Sequence, residues 1–334
     1  MVLGLVVVGG VVQIYLSNKQ TYRVNAAVAR IQENARFALD LLGRDLRAAG
    51  YWGCAGSSAQ IAHAVDDTSG WQFLAEPVHG YEGGVDTFPS DFAASALGNT
   101  DAFRVAYMDP NGAYTVSSHV PASATIHLTT THDLKQGEIL AVVSSACRQV
   151  GIFQMSNENN NGTIDTVVHN TGAATSPGNC TVELGGSFTC ADTSPASSYT
   201  YQAGSKVMRF VSRAYYIGSG ASGEPALWRA YLTHSGAAAS VGSEELVEGV
   251  EDMQILYGLD TDADGTANRY VRADAVGNWS DVVSARVDLL LRSVEDNLAN
   301  SPQPYKLQGV SSTPSDRRIR RVFTTVVALR NRVP

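Results

Sequence analysis

The run Asp260-Thr261-Asp262-Ala263-Asp264-Gly265 places a carboxylate at every second position and closes on glycine. Oxygen donors at positions one, three and five, with a glycine for the sharp turn, form the pattern of a calcium loop. Asn268 stands at the ninth position, but Val271 occupies the twelfth, where an EF-hand carries its bidentate glutamate. The flanks are also strand-like rather than helical. Asp260, Asp262 and Asp264 are therefore candidate ligands for Ca2+. The competing reading is a polar hairpin loop whose Asp and Gly serve turn geometry. No other cofactor is implied.

The remaining chemistry-bearing residues point away from catalysis. Gly218-Ser-Gly-Ala-Ser-Gly223 fits G-x-G-x-x-G, but Pro225 and "ALWRAYL" continue as a strand where a dinucleotide site needs a helix. No P-loop, HExxH or G-x-S-x-G occurs. The seven histidines form no spaced pair beyond "HLTTTH", which a strand would split between its two faces, so they are expected to be surface or structural. The four tryptophans are scattered and are expected to anchor cores. "DRRIRR" (316–321) is expected to be a solvated strand entrance or to pair with acidic neighbours. The chain is not expected to be an enzyme.

Cys54, Cys147, Cys180 and Cys190 include no CxxC pair and no histidine at zinc spacing. An even count in a Ser/Thr/Asn/Gly-rich chain behind an apolar start suits disulfides outside the cytoplasm. Of the three connectivities, Cys180–Cys190 closes a short excursion (170–198), and Cys54–Cys147 then ties the helix exit to a strand. A net charge of −8 and a pI near 5.3 argue against nucleic acid as a partner.

These residues must be positioned by one helix and many strands. Residues 1–20 are greasy on all sides, and Met1 to Val12 is uninterrupted in its apolar character. As a helix that run covers only about 18 Å, against a hydrocarbon core of about 30 Å. It lacks the basic segment and A-x-A site of a signal peptide. Residues 21–50 then become one-sided. Val24, Val28, Ile31, Ala35, Leu39, Leu42 and Leu46 recur in steps of three and four, which puts them on one helical face. Lys19, Arg23, Arg30, Glu33, Arg36, Asp40, Arg44 and Arg47 take other faces, and Gly50 ends the helix. From 51 to 334 the period changes to two, predicting a β-rich head. The two last strands, 282–293 and 320–331, are long, β-branched and apolar, and are predicted to lie centrally in a sheet.

Several long stretches resemble one family in the same order. "QENARFALDLLGRDLRAAGYWGCAG", "ILAVVSSACRQVGIFQMS", "RAYYIGSGASGEPALWRAYL", "LVEGVEDMQILYGLDTDADGTANRYV", "VVSARVDLLLRS" and "DRRIRRVFTTVVALRNR" together are similar to PilW-type minor pilins of bacterial type IV pili. The resemblance implies an α+β, pilin-like fold: a long N-terminal helix packed on a large antiparallel, sheet-rich globular domain. It implies a minor pilin that primes pilus assembly, with other minor pilins and the major pilin as partners through the helix, and a tip adhesin. It implies residence in the inner membrane with a periplasmic head, then in the pilus, and roles in twitching motility, adhesion or DNA uptake. The family begins with a basic leader, a glycine–phenylalanine junction and an early glutamate, none of which precedes the apolar run here. About ten further residues would lengthen that run to roughly 39 Å of helix, enough to cross a bilayer. The expectation is that such a segment lies upstream. Alternatives are a J-type pseudopilin of type II secretion and a tip-located module for a ligand or DNA.

Overall fold

The computed structural model describes residues 2–56, 58–67, 70–93, 95–158, 164–172, 174–192 and 196–332. Helix α1 runs unbroken from Val2 to Ala48, a rod of about 70 Å. Gly50 stops it with φ +73°, a left-handed conformation that glycine adopts without a Cβ penalty. The Gly50 N–H then donates to Ala106 O at 2.9 Å, turning the chain directly onto the β-body. Asn331 closes the same end from the far terminus, its Nδ2 donating to the carbonyls of Arg47, Ala48 and Ala49 at 3.2–3.3 Å.

The hub of the body is the strand Lys206–Ser219. At fourteen residues it is long enough, about 46 Å, to pair with different partners along its length. Lys206–Arg209 lies against Ile139–Val143, with Tyr114–Val120 on the other side. Further along, it pairs with Ala102–Met108 and Pro225–Ser235. The hairpin partner Ala238–Glu248 extends that side. A second sheet has the order Arg269–Val271, Val250–Leu259, Val282–Arg292, Arg320–Ala328.

The expected α+β, pilin-like plan of a long helix on a large antiparallel, sheet-rich domain is corrected: a large β-rich domain fits in part, but the fold is not clearly pilin-like. Strands take up 40% of the chain and helices 18%, so this is mostly β structure with one long helix. The sheets are separate, and the larger is not purely antiparallel: Gln60–His63 runs parallel to both Gln149–Gln154 and Phe188–Thr189. Parallel partners cannot be joined by a tight hairpin. The chain between 63 and 149 accordingly builds other strands before it returns, and the 170–198 excursion supplies Phe188–Thr189.

A further expectation is corrected at the C-terminus. Val282–Arg292 is central, but Arg320–Ala328 is an edge strand with one neighbour. Its apolar side chains are explained by the helix, not by strands on both sides. Phe323 is half-buried against the helix-lined core, and Val327 and Leu329 are buried in it.

The cysteines pair as Cys54–Cys147 and Cys180–Cys190, with Cα–Cα distances of 5.2 and 6.0 Å. The first ties the chain just after the helix to the turn between Ile139–Val143 and Gln149–Gln154. The second closes the short excursion. Tryptophans pack in aromatic pairs, Trp52 with Phe210, Trp71 with Phe92, Trp228 with Tyr216, and Trp279 with Tyr257.

Candidate functional site

The helix changes character at Gln20. Its Nε2 donates to Leu298 O at 2.9 Å, and Arg23 meets Glu295 at 2.8 Å, so docking begins there. Before that point, residues 7–19 are exposed on every side. Val7, Val8, Val11, Ile14, Tyr15 and Leu16 are each more than half exposed. The body thus leaves a stretch of large apolar side chains without cover. Among the described residues, no helix is long and apolar enough to cross a membrane.

After Gln20 the stripe becomes core. Ile31, Ala35, Ala38, Leu42, Leu46 and Ala49 are buried, and Val24, Val28 and Leu39 pack half-buried against the same cluster. Their partners come from both sheets, including Phe103 and Val105 on one side and Met253, Val287 and Val327 on the other. The helix therefore closes the junction between sheets. Its own burial stabilises the body as much as the body holds the helix.

One charged residue sits inside that apolar face. Asp45 is 1% exposed and lies on the same side of the helix as Leu42 and Leu46. Arg213 Nη1 donates to both its oxygens at 3.0 Å, Tyr215 Oη donates at 2.6 Å, and Tyr107 Oη at 3.3 Å. Arg213 also donates to Tyr107 Oη at 3.0 Å. Burial, then the adjacent Asp45 charge, raises the pKa of both tyrosines, so their protons remain available to the carboxylate. Burial works against the Arg213 charge, but Asp45 and the two tyrosines together raise its pKa. A buried ion pair whose lone pairs are met by further donors overcomes desolvation only at good geometry, and so fixes one docking register for the helix. The sequence patterning passed over Asp45. The available signal was a carboxylate on an apolar helical stripe.

The other flank is polar and local. Asn34 Nδ2 donates to Glu248 O at 3.0 Å, and Arg30 reaches the Glu248 carboxylate at 2.9 Å. These contacts orient the helix about its own axis.

Asp260, Asp262 and Asp264 are brought together, each with one oxygen within 4.8 Å of the others. The Asp260 carboxylate accepts N–H bonds from Asp262 and Asp264 at 3.3 Å and from Gly265 at 2.8 Å. Asn268 Oδ1 accepts from Thr261 N at 2.6 Å. The loop is thus a hydrogen-bonded turn between Val250–Leu259 and Arg269–Val271, and its oxygens converge as hard-cation ligands do. Val271, in place of a bidentate glutamate, lies within the second of these strands.

Other candidates resolve simply. Gly218–Gly223 forms the hairpin turn between Lys206–Ser219 and Pro225–Ser235, with Gly223 at φ +82° and Gly220 N donating to Glu224 O. Arg318 and Arg320 of "DRRIRR" pair with Glu224, Glu251 and Asp316. His119 and His169 are buried with their Nε2 atoms 3.2 Å apart, a pairing that spacing in the chain did not reveal. His119 Nδ1 accepts from Tyr201 N, so its Nε2 carries the proton shared with His169. Burial lowers the pKa of His119 to about 4 and, together with the His119 neighbour, that of His169 to about 3.

A helix with an uncovered apolar start, docked along its second half on β-sheets, defines a helix-tethered β-protein. Residues 214–331 match the family model of the Type IV Pilus-assembly protein W. That stretch spans the hairpins, the acidic loop and the edge strand, and its similarity supports a PilW-type type IV pilus assembly protein. No curated protein and no solved structure matches the chain.

Proposed function

We propose that this PilW-type protein is a non-enzymatic minor pilin that helps to initiate pilus assembly. One observation carries the reading: the 7–19 stretch of α1 is apolar in large part and exposed on all sides, while the stretch from Gln20 is locked onto the body. A helix greasy all round needs lipid or other helices around it. In this reading the free half rests in the inner membrane before assembly, with the head in the periplasm, and packs among the helices of other minor pilins and the major pilin afterwards. The head then stands near the pilus tip, beside a tip adhesin, and contributes to adhesion, twitching motility or DNA uptake through assembly. The PilW match favours a pilus over a type II secretion machine.

The test is genetic. In the bacterium that encodes the chain, deleting its gene is expected to reduce surface pili seen by electron microscopy, and the wild-type gene to restore them. Ile14→Asp, which charges the exposed apolar stretch but touches no part of the body, is expected to fail to restore pili while the protein accumulates normally. Unchanged pilus numbers in the deletion strain would remove the assembly role.

A further inference from the structure

The strand Arg320–Ala328 ends its sheet, and its open side can be assigned residue by residue. Leu329 N donates to Val283 O, and Ser293 N donates to Ile319 O, both at 2.8 Å. In an antiparallel pair such bonded positions recur every second residue. With Ser284 opposite Ala328 and Arg292 opposite Arg320, the odd-numbered residues from 319 to 329 turn their amides towards Val282–Arg292. Val322, Thr324, Val326 and Ala328 turn their N–H and C=O groups outwards. Among the described residues, no hydrogen bond reaches those outward groups.

Protein edges are usually blunted by proline, a bulge, an inward charge or a cover. Here "VFTTVVA" is β-branched, proline-free and regular in register along its whole length. Val326 is 57% exposed. Exposed positive charge flanks it, while the neighbouring Asp288, which accepts from Thr324 Oγ1, is buried. Arg321 and Arg330 bracket the strand, both exposed. The helix adds more. Arg30, Asn34 and Asp45 face Glu248 and Arg213, so the opposite flank, at about 100° per residue, carries Arg36 and Arg47, with the exposed Asp40 beside them. Among the described residues none of Arg36, Arg47, Arg321 and Arg330 has an ion pair, although the chain as a whole is acidic at −8.

We propose that the outer edge of Arg320–Ala328 accepts an extended acidic segment of another protein chain as an added antiparallel strand. The outward groups of Val322, Thr324, Val326 and Ala328 supply the main-chain pairing, and the flanking arginines select acidic side chains. The proposal stands independently of the assembly reading, because binding is measured on the chain alone.

The probe is a fluorescent nine-residue peptide alternating valine with glutamate and threonine, titrated onto the full chain in mild detergent. Its counterpart carries lysine in place of glutamate. The expected result is saturable binding of the acidic peptide, with amide exchange slowed at Val322, Thr324, Val326 and Ala328. Val326→Pro removes one outward N–H and leaves the inner ladder intact, as prolines do on edge strands. It is expected to weaken binding about tenfold, the loss of one main-chain bond. Arg321→Glu combined with Arg330→Glu is expected to turn the preference to the lysine peptide. Equal binding of both peptides, unslowed exchange at those amides, or unchanged binding to folded Val326→Pro would each overturn the proposal. If Val326→Pro proves unfolded, exchange in the wild-type chain decides.

Discussion

Asp45→Ala is the sharpest test of how the helix is held. The substitution leaves Arg213 facing the junction without its counter-charge, and leaves the fully buried Tyr215 hydroxyl without its 2.6 Å acceptor. Breaking a buried pair by removing one partner costs about 3–5 kcal/mol. The Arg213 side chain keeps 29% of its surface, so water recovers part of its charge and the lower end applies, ~3 kcal/mol. An unsatisfied buried hydroxyl adds about 1 kcal/mol or more. The expected total is roughly 4 kcal/mol, which at about 2 °C per kcal/mol for a large domain lowers Tm by roughly 8 °C. Urea unfolding followed by tryptophan fluorescence measures it, with amide exchange at residues 38–48 reporting on helix docking. Arg213→Leu in the Asp45→Ala background should recover about 1–3 kcal/mol, because the unpaired cation has gone. A cost within 0.5 kcal/mol of wild type, or strictly additive effects of the two substitutions, would show that Asp45 is not the anchor of the helix.

Leu42→Ala, at a site with 0% exposure, is expected to cost about 2–5 kcal/mol in the same urea assay. Asp260→Ala removes an acceptor of three loop N–H groups; faster amide exchange at Asp262, Asp264 and Gly265, with little change elsewhere, is the expected outcome. Opening Cys54–Cys147, which spans 93 positions, is expected to cost roughly 4.7 kcal/mol on the chain-entropy model, against roughly 3 kcal/mol for Cys180–Cys190; Cys→Ser pairs measured by urea midpoint check the order. The buried histidines take up protons near pH 6.5 when unfolded but only near 4 and 3 when folded, so their contribution is full above pH 6.5 and is lost as pH falls towards those values. By pH 5 the loss is on the order of 2 kcal/mol per histidine. Comparing wild type with His169→Phe between pH 7 and 5 isolates it, since other groups cancel, including Asp101, whose burial raises its pKa to about 7 and acts in the opposite direction.

The docking stripe was legible because a helix repeats locally: Ile31, Leu42 and Leu46 are spaced by the geometry of their own segment. What Asp45 does was not legible. Its partners lie 62, 168 and 170 residues away, and only the fold brings them together. The same holds for His119 and His169, 50 residues apart. Alternation predicted most long strands but is silent on which strands become neighbours. The parallel return of Gln149–Gln154 onto Gln60–His63 has no local signature, and it helps to separate this mostly β architecture from the antiparallel, pilin-like domain expected.

The last strand shows why composition misleads about position in a sheet. A long β-branched apolar run suggests burial on both faces and hence a central place. In Arg320–Ala328 the apolar content has two different causes. Phe323, Val327 and the following Leu329 face the helix, which covers them as another layer would. Val326, on the opposite face, is more than half exposed and gains nothing from the body. Burial by a helix demands apolar side chains on one face but satisfies none of the strand's outward main-chain groups. A sequence can therefore carry the hydrophobicity of a central strand and the unmet hydrogen bonds of an edge at once. Where both occur, with Arg321 and Arg330 exposed at the strand's two ends, the outward bonds are left for water or for an added strand of another chain.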